Sequence, residues 1–435
     1  MTRTRIVPTM RVIFLRTMNS NPKSERRGGQ VPQGRQLIAQ HFSAGLATMR
    51  PESRRDDRNF TPGSAVPAGL VRRCGEPSAQ ALGYDRPSLR DCAEVMPSGR
   101  KLRWFFALFT LALLTGCRTT PEPSLARFEF SEPHMGTLWR ITLFAPDAAT
   151  ASHAVRAAFA RVHTLDNIFT DYNPDSELLR LCAQRPGTAV PVSAELFDIL
   201  QKSERLSSQT EGAFDVTVGP MVQLWRRARR QRELPTPEKI TAARAAVGFD
   251  QVRLDARRRT VTLLTPGMRL DLGGIAKGYA ADEALRVLRR NGISRALVAA
   301  SGDLALGDAP PGLPGWRVEI ALPAGAGTNH LRALTLKNCG ISTSGDAEQY
   351  VELHGVRYSH LVDPRTGVGL TNRLQVTVLA ECATRSDALT KTICVLGPAR
   401  GLPIIERDAR LAALVVTAGG TNTTVLQSRR FPTVK

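Results

Sequence analysis

Several short stretches of this chain carry residue types at spacings that could do chemistry. Asp271-Leu-Gly273-Gly274-Ile-Ala-Lys277-Gly278 sets two glycines between a strand-like run and a helical one. Backbone N–H groups at a helix N-terminus attract anions, glycine lets a phosphate approach closely, and Lys277 adds a cation on the first turn. The GxxxxGK[ST] spacing of a phosphate loop is absent, and a plain strand-to-helix turn would use the same residues. Thr343-Ser344-Gly345-Asp346 and Asp363-Pro364-Arg365-Thr366-Gly367 are further loops of small, hydroxyl and charged side chains. His360 ends an alternating strand three residues before Asp363, placed to face a pocket, although a lone strand histidine equally suits a structural role. Asp387 opens a helix, where a cap is the simplest reading. Together these residues describe a phosphate- and metal-binding pocket built from loops at strand ends.

Such loops need strands and helices to hold them. Residues 127–144 alternate like strands around Met135-Gly136-Thr137, and apolar residues at helical spacing predict a helix over 148–169. Asp175 or Ser176 caps a next helix, and Ser193 caps another over 194–208. The basic run Arg226, Arg227, Arg229, Arg230 and Arg232 reads as a solvated helix face. A short helix ending at 247 precedes strands at 251–254, 260–264 and 269–272, before the glycine turn and its helix, which Asn291-Gly292 stops. Strands are expected at 297–300, 316–321, 331–336, 340–343, 374–380, 412–417 and 423–428, with a hairpin over 351–361 and a helix over 386–396. The fold class is α+β, with mixed sheets flanked by helices.

The chain has 435 residues, is 42% hydrophobic and 23% charged, and carries a formal charge of +20. These values exclude a mainly disordered, collagenous or multi-span membrane protein. More than half of the positive excess lies in the first 117 residues, and 51 Arg stand against 8 Lys. That distribution argues against nucleic-acid binding and for a bias in source composition.

Met96 opens MPSGRKLRWFFALFTLALLTGC, a cationic stretch followed by eleven apolar or nearly apolar residues and then Gly116-Cys117. Eleven is too short for a span of roughly 20 but suits a secretory signal. The run resembles a bacterial lipobox, with Cys117 as the lipidated first residue of a mature chain anchored at the cell envelope and facing the periplasm. Residues 1–95, rich in Arg, Pro, Gly and Ser and without sustained periodicity, read as a disordered arm or as the product of a start assigned too far upstream. Residues 118–126 form a polar tether and 127–435 the main folded domain. Cys182, Cys339, Cys382 and Cys394 make no C-x-x-C pair or zinc spacing.

From about residue 128 to 426 the chain resembles the ApbE-type FAD:protein FMN transferases. The resemblance rests on ordered motifs: Met135-Gly-Thr, Tyr172-Asn-Pro-Asp-Ser-Glu, Gly212-Ala-Phe-Asp-Val-Thr-Val-Gly-Pro, DLGGIAKGYAAD, Ser342-Thr-Ser-Gly-Asp, HLVDPRTG and Ser386-Asp-Ala-Leu. It implies a T-fold-like flavin transferase architecture and a FAD site formed by Met135, Tyr172, Ala213, Phe214, Asp215, Asp271, Lys277 and Leu361. It also implies Mg²⁺ held by the Gly274 carbonyl and Asp387. The implied reaction transfers FMN from FAD to a Thr or Ser hydroxyl of a target flavoprotein and releases AMP, with His360 the candidate base and Asp387 at the catalytic centre. Implied acceptors are subunits of membrane electron-transfer complexes of the quinone reductase or Rnf type.

Two positions depart from the family pattern. Lys391 stands four residues after Asp387, where a Thr usually ligates the metal, and an ammonium there would repel Mg²⁺ or replace it as a fixed charge. Thr390 cannot substitute, since one residue turns a side chain about 100° around a helix. Cys182 stands where Asn often follows the Ser-Glu helix. A FAD pyrophosphatase giving FMN and AMP, and a non-catalytic FAD-binding lipoprotein, remain the alternative functions.

Overall fold

The computed structural model describes residues 9–11, 124–322, 331–345, 350–419 and 422–432. The signal with Cys117, the rest of the amino-terminal arm, most of the tether and Asp346 lie outside the described residues. In chain order the strands are β1 (Thr9–Arg11), β2 (Ala126–His134), β3 (Thr137–Ala145), β4 (Ala189–Pro191), β5 (Val252–Asp255), β6 (Thr260–Leu263), β7 (Ala296–Ala300) and β8 (Asp303–Leu306). They continue with β9 (Trp316–Ala321), β10 (Leu331–Leu336), β11 (Cys339–Gly345), β12 (Tyr350–Leu353), β13 (Val356–Ser359), β14 (Leu374–Ala380), β15 (Ala412–Gly419) and β16 (Asn422–Gln427). The helices are α1 (Ala148–Phe169), α2 (Glu177–Cys182), α3 (Ala194–Gln209), α4 (Gly219–Gln231), α5 (Pro237–Arg244), α6 (Ala276–Arg290) and α7 (Ala383–Glu406).

Eight strands form one antiparallel sheet in the order β16-β15-β14-β11-β8-β7-β3-β2. Side chains alternate across a strand, so both faces of this sheet must be apolar if both are covered, and they are. Ala296, Val298 and Ala300 of β7 join one core with buried residues of α1, α6 and α7, while Leu297 and Ala299 join a second core with Trp316, Val318, Ile320 and Leu334 of β9 and β10. The same division separates Ala413 and Val415 from Ala412, Leu414 and Val416 in β15. The sheet is thus sandwiched between helices and a small second sheet. In that second sheet β1 pairs parallel with β9, although its segment carries no periodic pattern; edge pairing through backbone groups requires none.

Three differences from the sequence expectation bear on the site. Residues 269–272 form no strand; one parallel bridge joins Arg269 to Val218. The last helix begins at Ala383 and breaks at Gly397, whose φ of 73° is left-handed, ahead of Pro398. β8 has no counterpart in the sequence pattern: its four residues, Asp-Leu-Ala-Leu, are buried on both faces and open with a carboxylate, so no alternation marks them.

Helices α6 and α7 cap each other. Asp387 of α7 accepts the Gly278 N–H of α6 at 2.9 Å, and Asp282 of α6 accepts the Ala383 and Thr384 N–H groups of α7 at 2.9 and 2.8 Å. A carboxylate at a helix N-terminus satisfies orphan donors and opposes the dipole. Gly278 makes the crossing feasible: a Cβ there would lie 2.2 Å from the Ala383 carbonyl oxygen.

Candidate active site

The start of α6, the first turns of α7 and the start of β8 bring four opposite charges together. Lys277 Nζ meets Asp303 Oδ2 at 2.5 Å, and Lys391 Nζ donates to Asp387 Oδ1. Asp303 and Asp387 are 1% and 0% exposed, whereas both lysines retain a solvent-facing edge. Burial pushes the Asp303 carboxyl up, but Lys277 and then Lys391 outweigh it and hold the group below its ordinary value. For Asp387, burial and the neighbouring Asp303 charge prevail over both lysines and raise it. An ammonium has three donors, so Lys391 keeps capacity for a substrate anion after meeting its carboxylate. Asp303 itself carried no sequence signal, because it sits on the unforeseen β8.

The glycine turn is built differently from an open anion cradle. Gly273 N–H donates to Asp271 Oδ1 at 2.8 Å and Gly278 N–H to Asp387, so side-chain carboxylates already occupy two of its donors. Lys277 and Lys391 are therefore the cationic groups this corner offers.

Beside it, Arg226 of α4 donates to Asp171 and, at 3.0 Å, to Asp271 Oδ2, with its guanidinium 4.6 Å from the centre of the Tyr172 ring. Burial disfavours the guanidinium charge, yet Asp271 and Asp171 prevail and raise its pKa further. Burial, then the Asp171 charge, pushes the Asp271 carboxyl up against Arg226. Tyr172, 77% exposed, is left as an aromatic face backed by a cation. This corrects the reading of the basic run as one solvated face: Arg227, Arg230 and Arg232 are exposed, but Arg226 points inward. Neighbouring Trp225 donates to the Gly367 carbonyl at 2.8 Å and packs on Tyr358, tying α4 to the HLVDPRTG segment.

The remaining expected residues lie on turns and loops between the named elements. Phe214 is buried with its ring edge 3.4 Å from the Cβ position of Gly274, and Ala213 is buried next to it. Asp215 accepts from the Thr217 backbone and hydroxyl and from Phe249 N–H, so it braces the loop from inside; burial raises its carboxyl pKa. Met135 sits in the β2–β3 turn with φ of 47°, its N–H bonded to Asp166 at 2.9 Å. Leu361 packs at the edge of the main core, and half-buried His360 precedes it, directly after β13. Cys182 accepts the Leu270 N–H at 3.3 Å and thereby supports the turn leading to Asp271.

The residues implied for magnesium do not fit that ion. Mg²⁺ takes oxygen ligands in near-octahedral geometry, but here Asp387 has one oxygen on Gly278 N–H and the other on the Lys391 ammonium. The Lys391 stem also passes Gly274, with Cγ 3.6 Å from that residue's Cβ position. Thr390 is buried, hydrogen-bonded to Ser344 at 2.8 Å and to the Asp387 carbonyl at 2.7 Å, and so is turned away. Unit charges 4 Å apart near a protein surface interact by about 4 kcal/mol, a repulsion that a divalent ion beside Lys391 would double. Among the described residues no group of three or more His, Cys, Asp and Glu could hold a metal ion.

Comparison with known proteins agrees with this architecture. The profile of the ApbE family matches residues 135–415. The FAD:protein FMN transferase of Escherichia coli (strain K12) is 32% identical over 336 residues, covering 75% of this chain and 95% of its own length. That of Vibrio cholerae serotype O1 is 32% identical over 318 residues, covering 72% and 93%. Among solved structures, the apo form of Pseudomonas stutzeri flavinyl transferase ApbE superposes with a TM-score of 0.64 at 29% identity, covering 70% of this chain and 95% of that one. Flavin transferase ApbE from Vibrio cholerae gives 0.64 at 28% identity, covering 70% and 98%. With the profile spanning most of the described domain and relatives matched over nearly their whole length, the chain belongs to the ApbE family.

Proposed function

We propose that this chain is a FAD:protein FMN transferase, moving FMN from FAD onto a Thr or Ser hydroxyl of a target protein. The carrying observation is that relatives bearing this name match it over 95% of their length. The half-buried cluster of Lys277, Asp303, Asp387 and Lys391 supplies local chemistry of the right kind.

The acceptor oxygen attacks the phosphorus on the FMN side of the pyrophosphate, and the bond from that phosphorus to the bridging oxygen breaks. AMP leaves with the electron pair, and the hydroxyl proton passes to a base, for which His360 is the candidate. Catalysis of phosphoryl transfer is chiefly positioning and charge stabilisation. Lys277 and Lys391 offer donors to the phosphate oxygens, and Asp303 and Asp387 fix both ammonium groups in place. Tyr172, backed by Arg226, offers a stacking face to one ring of the dinucleotide. No step is assigned to magnesium, since the donor set is already occupied.

The same reading places the chain at the bacterial cell envelope, lipidated at Cys117 and facing the periplasm, with acceptors in membrane electron-transfer complexes of the quinone reductase or Rnf type. The order of cationic stretch, short apolar run and Gly116-Cys117 supports the anchor. The test of activity is incubation of the full chain with FAD and a threonine-containing acceptor domain. Acceptor heavier by FMN less one water, with one AMP per transfer, is expected. Free FMN with unmodified acceptor would identify a pyrophosphatase, and intact bound FAD a binding protein.

A further inference from the structure

We propose that the Lys391 ammonium is a built-in cation for the donor's pyrophosphate, so that this chain binds FAD without a divalent metal. The inference rests on the FAD-dependent reading above and adds the source of positive charge at the phosphates.

Three observations carry it. Lys391 lies against both positions where a metal would be held: its stem passes Gly274 and its ammonium rests on Asp387. Asp387 is fully buried and both its oxygens are engaged, one by the Gly278 N–H and one by Lys391. Thr390, the adjacent hydroxyl, is locked onto Ser344 and the Asp387 carbonyl. An ion arriving here would have to displace the ammonium from a carboxylate only four residues away on the same helix, and the displaced charge would stay beside it. The ammonium already does what that ion would do. It neutralises Asp387, stays 14% exposed towards solvent, and keeps two donors for phosphate oxygens. Lys277, 28% exposed on Asp303, gives a second cation across the cluster. A salt bridge serving only to hold α7 would predict no link between this pair and FAD affinity.

The experiment measures FAD binding to the full chain by flavin fluorescence in EDTA and in millimolar Mg²⁺, with transfer to the acceptor domain followed in parallel. Wild type is expected to bind equally well in both, within about twofold, and Lys391→Thr to lose about tenfold or more in EDTA, a charge-assisted hydrogen bond being worth that much. Mg²⁺ is expected to restore binding to the variant, and Mn²⁺ titration followed by electron paramagnetic resonance to show a bound ion in Lys391→Thr with FAD but none in wild type. Wild type that binds FAD only with Mg²⁺, or Lys391→Thr that binds normally in EDTA, overturns the inference. The wild-type comparison decides the matter even if the variant fails to fold. Mg²⁺-dependent binding with FMN transfer sinks this inference and leaves the transferase reading standing. Metal-independent binding without transfer does the reverse, and no FAD binding in either condition removes both.

Discussion

Arg226 spans two carboxylates and backs an aromatic ring, so its loss should register in both stability and substrate affinity. Arg226→Ala leaves buried Asp271 without its cation, a cost of about 1–3 kcal/mol, and leaves Tyr172 unsupported. Chemical denaturation should show that loss, and FAD titration a weaker affinity. Arg226→Lys should recover only part, because a single ammonium lacks the fork that reaches Asp171 and Asp271 together. Lys277→Met tests the other pair through pH. In wild type the Asp303 carboxyl is held below the ordinary 3.8, so its stabilisation is full above that value and fades as pH falls through the lower folded value. Without Lys277, burial becomes the prevailing influence and the carboxyl rises above 3.8, so stability is lost as pH climbs past that value. The deficit in melting temperature of the variant against wild type should be larger near pH 7.5 than near pH 4.5; an equal deficit at both would contradict the pairing. Lys277, Asp387 and Lys391 were legible in the sequence because motif and helix phase mark them. Arg226 was hidden inside a run of arginines of which Arg227, Arg230 and Arg232 face water.

Among the elements, the crossing of α6 and α7 sets the geometry of the charge cluster. Gly278→Ala inserts a methyl 2.2 Å from the Ala383 oxygen and 2.8 Å from the Asp387 Cβ, and the backbone must move apart. The mutual caps then open. A destabilisation of roughly 3 kcal/mol or more is expected, in the range of severe overpacking and lost caps, together with weakened FAD binding; an unchanged unfolding midpoint would show that the helices are not locked by this contact. Helical elements were readable nearly to the residue where a cap and an amphipathic stripe coincide, as in α1 and α3. β8 was not readable, since burial on both faces erases alternation and a short run opening with Asp resembles a loop. The 269–272 segment has strand-like composition, yet only Arg269 finds a bridge partner, and the chain turns at Gly273 directly after it.

At the scale of the whole molecule, the residues from 124 onward build a domain whose main sheet is covered on both faces. Of the formal +20, the residues from 118 onward carry +9, a surplus suited to an anionic dinucleotide. Among the described residues no helix is long and apolar enough to cross a membrane; the proposed attachment is through acyl chains at Cys117. Cys117→Ala, expressed in a bacterium and fractionated, should move from the membrane pellet to the soluble or uncleaved precursor pool and lose palmitate label; label retained on the variant would refute lipidation at that residue.

Transfer of FMN to a protein is read from the intact mass of a threonine-containing acceptor domain after incubation with this chain and FAD, with AMP quantified alongside. One added FMN less one water on the acceptor is expected, with one AMP for each acceptor modified. Unmodified acceptor in the presence of a chain that binds FAD would contradict it.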